Sequence, residues 1–235
     1  MERDSIRSVQ PRAVLFDFSG TLFRLEEDDS WFEGMQVDER EVDGHVQAEL
    51  MRRLTAPTGR SVEMTPEAYK AWVNRDLEPH LHREAYLHVL RQSGMPDHHA
   101  ENLYARVIDP ASWTAYPDTA EVLKSLRRQG IKTAVVSNIA FDVRPAFEAI
   151  GAADDVDEFV LSFEVGAIKP SAAIFETTLT RLEVAPEYTV MVGDSEEADG
   201  GARALGCGFV LVDPLPTTQR PDGLRRALAR YDISV

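Results

Sequence analysis

Residues 12–23 read Arg-Ala-Val-Leu-Phe-Asp17-Phe-Ser19-Gly20-Thr21-Leu-Phe, and no other stretch restricts the fold as strongly. Ala13 to Phe16 is a short unbroken apolar run, the pattern of a strand buried on both faces. It ends in a carboxylate, followed by a turn containing Ser19 and Gly20. Open α/β folds gather ligands just beyond the C-terminal ends of their strands. A turn aspartate bonded to its own backbone has the same local sequence, so the remainder of the chain has to decide between them.

The second half of the chain repeats the pattern. Lys132 to Val136 is apolar and ends at Ser137-Asn138; Thr189 to Val192 is apolar and ends at Gly193-Asp194. Further strands are expected near Glu158 to Ser162 and from Gly208 to Val212. Helices are expected over about 119–129, 142–150, 171–182, 197–205 and from Pro221 to about Tyr231. Strands alternating with helices imply a parallel sheet with right-handed crossovers. Three polar strand ends then meet at one edge, which is where an active site is expected.

Residues 24–115 differ. After the acidic run Glu26 to Asp29 come Trp31 and Phe32, and from 37 to 107 the pattern is helical with no strong strand. Val42, Val46, Leu50 and Leu54 mark one helical face. Thr65-Pro66 reads as a cap and a first helical residue. A further helix holds Ala85 to Leu90 and closes near Gly94-Met95-Pro96. Another carries Leu103, Tyr104, Val107 and Ile108. His98 and His99 follow Asp97 in an expected turn. The fold class is therefore α/β, a Rossmann-like parallel sheet with an inserted α-helical cap: a core of 1–23 and 116–235, and a cap of 24–115. All six histidines lie in the cap. With Arg52, Arg53, Arg75, Arg83 and Arg106 they are expected mostly at the surface or between helices, and no metal site is assigned to them.

The formal net charge of −15 opposes nucleic acid as a partner, and a phosphorylated ligand would need a local cation. Cys207 is the only cysteine, so no intrachain disulfide forms, and a reducing cytoplasm is the expected location. Cys207 is expected to be buried. No apolar run has the length of a membrane span, and Met1 to Arg7 lack the order of a signal peptide. GxGxxG and GxxxxGK[ST] loops are absent.

Asp17 and Asp194 repel each other unless a cation lies between them. A hard divalent ion such as Mg²⁺ suits oxygen ligands. Asp199 follows five residues after Asp194, where it would hold either a metal-bound water or the Asp194 loop. Thr21 and Ser137 add hydroxyls and Asn138 an amide. Lys169, one of four lysines, precedes Pro170 and offers a compact charge that would neutralise a dianion and keep Asp17 ionised.

In this order, Asp17-x-Ser19-Gly20-Thr21, Ser137-Asn138, Lys169-Pro170 and Gly193-Asp194-Ser195-x-x-x-Asp199 resemble the four motifs of the haloacid dehalogenase-like hydrolase superfamily. The resemblance spans the whole core, and the insertion is similar to that superfamily's small helical cap. It implies Asp17 as nucleophile, Ser137 as a ligand of phosphoryl oxygens, and Lys169 as the charge that steadies both. It implies Mg²⁺ on Asp17, Asp194 and the Ser19 carbonyl, with Asp199 supporting. The implied partner is a small phosphorylated metabolite, and the implied state a monomer or homodimer.

Ser19 departs from the pattern. Phosphatases of the superfamily usually carry a second Asp there, which protonates the leaving alcohol and then activates water. Serine has no useful pKa for either task. Three other readings stay open. A phosphonoacetaldehyde hydrolase has a small residue at this position but needs a cap lysine for a Schiff base, and Lys70 is the only one. An L-2-haloacid dehalogenase works without metal, against which Asp194 in its Gly-Asp-Ser setting argues. A binding or regulatory protein on the same fold would need no proton transfer.

Overall fold

The computed structural model describes residues 10–26, 36–37, 40–41 and 63–235. Five parallel strands form the main sheet: β1 (Ala13–Phe16), β6 (Lys132–Ser137), β7 (Glu158–Leu161), β8 (Thr189–Gly193) and β9 (Gly208–Leu211). Their spatial order is β7-β6-β1-β8-β9. The chain builds outward from β1 in one direction through β6 and β7, then in the other through β8 and β9. The winding therefore reverses at β1, and a crevice opens at the strand ends there.

The apolar run of β1 serves both faces. Val14 and Phe16 join a cluster with Val122, Leu123 and Leu126 of α4 (Thr119–Arg128) and Leu224 and Leu228 of α8 (Gly223–Ala229). Ala13 and Leu15 point the other way, into Ile174, Phe175, Leu179 and Leu182 of α7 (Ala172–Leu182). All four β1 residues are completely buried. Removing a side chain of Leu or Phe size from water contributes about 1.5–3 kcal/mol, so this strand is anchored firmly enough to hold the turn beyond it in place. The short helices α5 (Arg144–Ala149) and α6 (Ser162–Val165) complete the crossovers beside β6 and β7.

The inserted segment has its own apolar cluster. Ala71 and Trp72 of α1 (Pro66–Val73), Leu87 and Leu90 of α2 (Pro79–Gln92), and Leu103 and Val107 of α3 (Asp97–Val107) meet in it. Thr65 caps α1 by accepting a hydrogen bond from Ala68 N at 3.2 Å, and Pro66 occupies the first helical position. The chain leaves the sheet through β2 (Phe23–Leu25) and returns through β5 (Trp113–Ala115), which pair antiparallel. Three-residue strands such as these leave almost no periodic trace in a sequence.

Four expectations need correction or placing. Residues 36–41 contain a two-residue strand pair, β3 (Gln36–Val37) and β4 (Arg40–Glu41), in a region read as helical. His98 and His99 lie in the first turn of α3, not in a turn before it; Pro96 precedes the helix and Asp97 opens it. The helix expected over 197–205 is a 3₁₀ helix, Asp199–Leu205. Two consecutive glycines weaken α-helix there, and a Cβ on Gly201 would stand 2.7 Å from Pro170. The helix expected on Val42 to Leu54, with His45, Arg52 and Arg53, lies outside the described residues.

Candidate active site

β1 delivers Asp17 to the crevice, and its backbone N–H still donates to Val192 O of β8 at 3.0 Å. The turn beyond is held in a conformation that needs glycine. Gly20 has φ +74°, and a Cβ there would lie 2.3 Å from Asp194 Oδ2. Arg220 braces the turn from behind: its guanidinium donates to Gly20 O at 2.7 Å and to Thr21 O, and stacks on Tyr116. No motif in the sequence marks Arg220; only the fold brings it there. Thr21 is fully buried in this turn, and its hydroxyl has no hydrogen-bond partner.

Lys169 is the electrostatic hub. Its Nζ donates to Asp17 Oδ1 and to Asp199 Oδ1, each at 2.6 Å, with the lysine side chain only 2% exposed. Asn138 fixes the lysine's backbone: Asn138 Nδ2 donates to Lys169 O at 2.9 Å, and Lys169 N donates to Asn138 Oδ1 at 2.7 Å. The Asn138 amide thus spends both its polar atoms on positioning Lys169. Asp199 is engaged on both oxygens as well, since Oδ2 accepts from Ser195 N at 2.9 Å. Strand β8 ends in Gly193 because any Cβ there would stand 2.1 Å from Asp199 Oδ2. Burial alone would lower the Lys169 pKa, but Asp17 and Asp199 outweigh it and hold the ammonium charged.

Asp17, Asp194 and Asp199 each present an oxygen, and these lie within 4.8 Å of one another. One ammonium cannot neutralise three carboxylates. Burial, opposed by Lys169, raises Asp17 to about 6. Burial and then the charges of Asp17 and Asp199 raise Asp194 to about 7. A cluster of hard oxygen donors with excess negative charge can hold a divalent cation. The residues present fit such an ion, with Asp17 and Asp194 as the carboxylates least committed elsewhere.

These groups form one wall of a cavity of about 680 Å³. Ser19, Ser137 and Asn138 line the same wall, whereas Thr21 sits behind it. The inserted segment supplies apolar lining, including Leu25, Tyr69, Trp72, Tyr86 and Val107. Three polar cap residues interrupt it: Arg75, Asp76 and His82. His82 is held neutral, its pKa lowered to about 3 by burial and by Arg75; its Nδ1 is 3.1 Å from Tyr104 Oη. Arg75 and His82 belong to the cap side chains expected mostly at the surface or between helices, and the structure puts both in the cavity lining instead. Asp76 carried no signal in the sequence beyond its place in a loop between two helices. Lys70 is exposed and does not line the cavity. Arg83 pairs with Glu101 at the surface. Cys207 is buried, and no helix among the described residues is long and apolar enough to cross a membrane.

A family model described as a hydrolase, haloacid dehalogenase-like hydrolase, matches residues 11–206. Among characterised proteins, a ribulose-1,5-bisphosphate 5-phosphatase of Halopiger xanaduensis is 36% identical over 132 residues, 52% of this chain and 55% of its own. The chain thus spans about half the length of that relative. A HAD phosphatase from Thermococcus onnurineus is 27% identical, with a TM-score of 0.53 over 86% of each chain. The L-2-haloacid dehalogenase of Xanthobacter autotrophicus has a TM-score of 0.61 at 23% identity, covering 94% of this chain and 82% of its own, a likeness of fold alone.

Proposed function

This chain belongs to the haloacid dehalogenase-like hydrolases, and we propose that it is a Mg²⁺-dependent phosphatase of small phosphorylated metabolites. The observation that carries this reading is the meeting of Asp17 and Asp194, just beyond the ends of adjoining strands, with Lys169 from the loop before α7. An excess of carboxylate faces one ammonium at 2.6 Å from the nucleophile. Asp17 and Asp194, with the carbonyl of Ser19, would hold Mg²⁺. Bound there, the ion would offset charge on the phosphoryl group and the carboxylates.

The chain's own residues do the rest. Lys169 keeps Asp17 ionised and offers charge to the phosphoryl oxygens, and electrostatic stabilisation of this kind is usually the largest contribution. Ser137, at the end of β6, is placed to donate to a phosphoryl oxygen. Asp17 attacks phosphorus in line, the bond to the leaving oxygen breaks, and an aspartyl-phosphate forms. Water then attacks that phosphorus and releases inorganic phosphate, restoring Asp17. The apolar cap wall excludes bulk water and selects the organic part of the substrate.

The test is phosphate release from a panel of phosphorylated sugars, acids and aryl esters with Mg²⁺ and with EDTA. Turnover that needs Mg²⁺, and an Asp194→Asn variant with weaker Mg²⁺ binding and lower turnover, are expected. No phosphate release from any member would overturn the reading. A second reading rests on Ser19 and the apolar wall. A halide leaves without a proton, so carbon–halogen hydrolysis by Asp17 needs no acid at position 19. Chloride release from L-2-chloropropionate in EDTA would move the chain to that class.

A further inference from the structure

We propose that Asp76, carried by the inserted segment, is the general acid–base of this site and performs the proton transfers that Ser19 cannot. This rests on the phosphatase reading above. Asp76 lies in the loop joining α1 to α2 and lines the same cavity as Asp17, Ser19, Ser137 and Lys169. The loop is docked on the catalytic edge of the sheet. Ser162 Oγ accepts from Ile139 N at 2.9 Å and hydrogen-bonds the carbonyl oxygens of Asp76 and Ile139. Ile139 is two residues beyond Ser137, so one hydroxyl ties the Asp76 backbone to the phosphoryl-binding loop.

The carboxyl itself is only lightly committed. The nearest contact to Arg75, from Nε to Oδ2, is 3.8 Å, longer than a hydrogen bond. The Arg75 guanidinium is otherwise occupied, donating to Trp72 O at 2.7 Å and lying over the Trp72 ring at 4.2 Å. The Asp76 side chain is 17% exposed, and the residue lines the cavity. Burial raises its pKa to about 6, with Arg75 and then Lys169 pulling it back. Tyr86 also faces it, and stays protonated to about 12. A carboxyl near the operating pH is what acid–base work requires. The neighbours are unsuited: His82 is neutral with its Nδ1 against Tyr104, and Glu196 is tied to Arg203. Glu197 also lines the cavity and is the control.

Protonated Asp76 gives its proton to the leaving oxygen as Asp17 attacks, so the alcohol departs neutral and Asp76 becomes a carboxylate. That carboxylate then takes a proton from water as the water oxygen attacks the phosphorus of the aspartyl-phosphate. The bond from phosphorus to Asp17 breaks, inorganic phosphate leaves, and Asp76 is again protonated.

The experiment compares benzyl phosphate, an alkyl ester, with 4-nitrophenyl phosphate, whose leaving group needs no proton, using the full chain with MgCl₂. Asp76→Asn is expected to lower kcat/KM on benzyl phosphate by about 10²–10⁴-fold and to spare the first turnover of 4-nitrophenyl phosphate. Its steady state is expected to show a burst and a phosphorylated species by intact-protein mass. Adding Ser19→Asp to that variant is expected to restore benzyl phosphate turnover, and Asp76→Glu to turn over without a burst. The proposal is overturned if Asp76→Asn matches the wild type on both esters with no phosphoprotein, or if Glu197→Gln alone gives the loss. If the wild type releases phosphate from neither ester and from no member of the panel above, the phosphatase reading itself fails and takes this proposal with it.

Discussion

Replacing Lys169 by Met tests the electrostatic account of the site without any substrate. Lys169 Nζ lies 2.6 Å from both Asp17 and Asp199, and the three side chains are 2%, 9% and 1% exposed. At an effective dielectric of about 20, each contact carries roughly 6 kcal/mol of gross attraction, most of which offsets desolvation. Methionine keeps the length of the side chain but strands two buried carboxylates beside Asp194. Removing one partner of a buried ion pair costs about 3–5 kcal/mol, a large share of the roughly 5–15 kcal/mol that holds a protein folded. Urea unfolding at pH 8 in EDTA is the assay. The loss has a definite pH dependence. Without Lys169 the pKa values of Asp17 and Asp194, already raised by burial, rise further above those of the unfolded chain, so the folded state binds protons first as pH falls. The penalty is therefore greatest at pH 8 and shrinks toward pH 4, by about 1.4 kcal/mol per pH unit for each group titrating. Asp199→Asn in the same chain removes one stranded charge and is expected to recover part of the loss. A loss below about 1 kcal/mol at pH 8, or one equal at pH 5 and pH 8, would refute the reasoning behind this magnitude.

Gly20→Ala places a Cβ against Asp194 in a left-handed turn, so it is expected to lower Mg²⁺-dependent turnover by at least about 10-fold while far-ultraviolet circular dichroism is unchanged. Equal Mg²⁺ titrations for the variant and wild type would contradict the packing described for Gly20. His82→Phe keeps a ring beside Tyr86 but removes a buried imidazole whose pKa is lowered to about 3. Because the unfolded chain binds that proton first, the stability His82 confers is complete above about pH 6.5 and is lost as pH falls toward 3, by at most about 5 kcal/mol. The variant is therefore expected to lose less stability than wild type between pH 7 and pH 4 in urea titrations; parallel losses would count against a neutral buried His82.

The sheet was legible because its signals are local. Apolar runs at Ala13–Phe16 and Thr189–Val192, the first followed by Asp17 and the second by Gly193-Asp194, announce buried strands and a common edge for the candidate site. Asp17, Ser137, Lys169 and Asp194 were readable for the same reason, since each lies just after a recognisable strand or just before a helix. What escaped depends on chain segments distant in sequence. Arg220 supports Gly20 across 200 residues, and Asp76 reaches the cleft because Ser162, 86 residues away, holds its loop. Asn138 was found but its task was not: an amide beside a hydroxyl looks like a ligand donor until the backbone of Lys169 is seen against it. The β2–β5 ribbon is too short for periodicity to reveal, and Gly200-Gly201 tightened an expected α-helix into 3₁₀ turns.

The central claim is that Asp17 carries the phosphoryl group. The direct measurement is peptide mass spectrometry of the full chain, quenched in acid during turnover of 4-nitrophenyl phosphate with Mg²⁺. One phosphoryl group on the peptide containing Asp17, removed by hydroxylamine and absent from Asp17→Asn, is the expected result. Phosphate release that continues with no label on Asp17, or with the label on another residue, would contradict it.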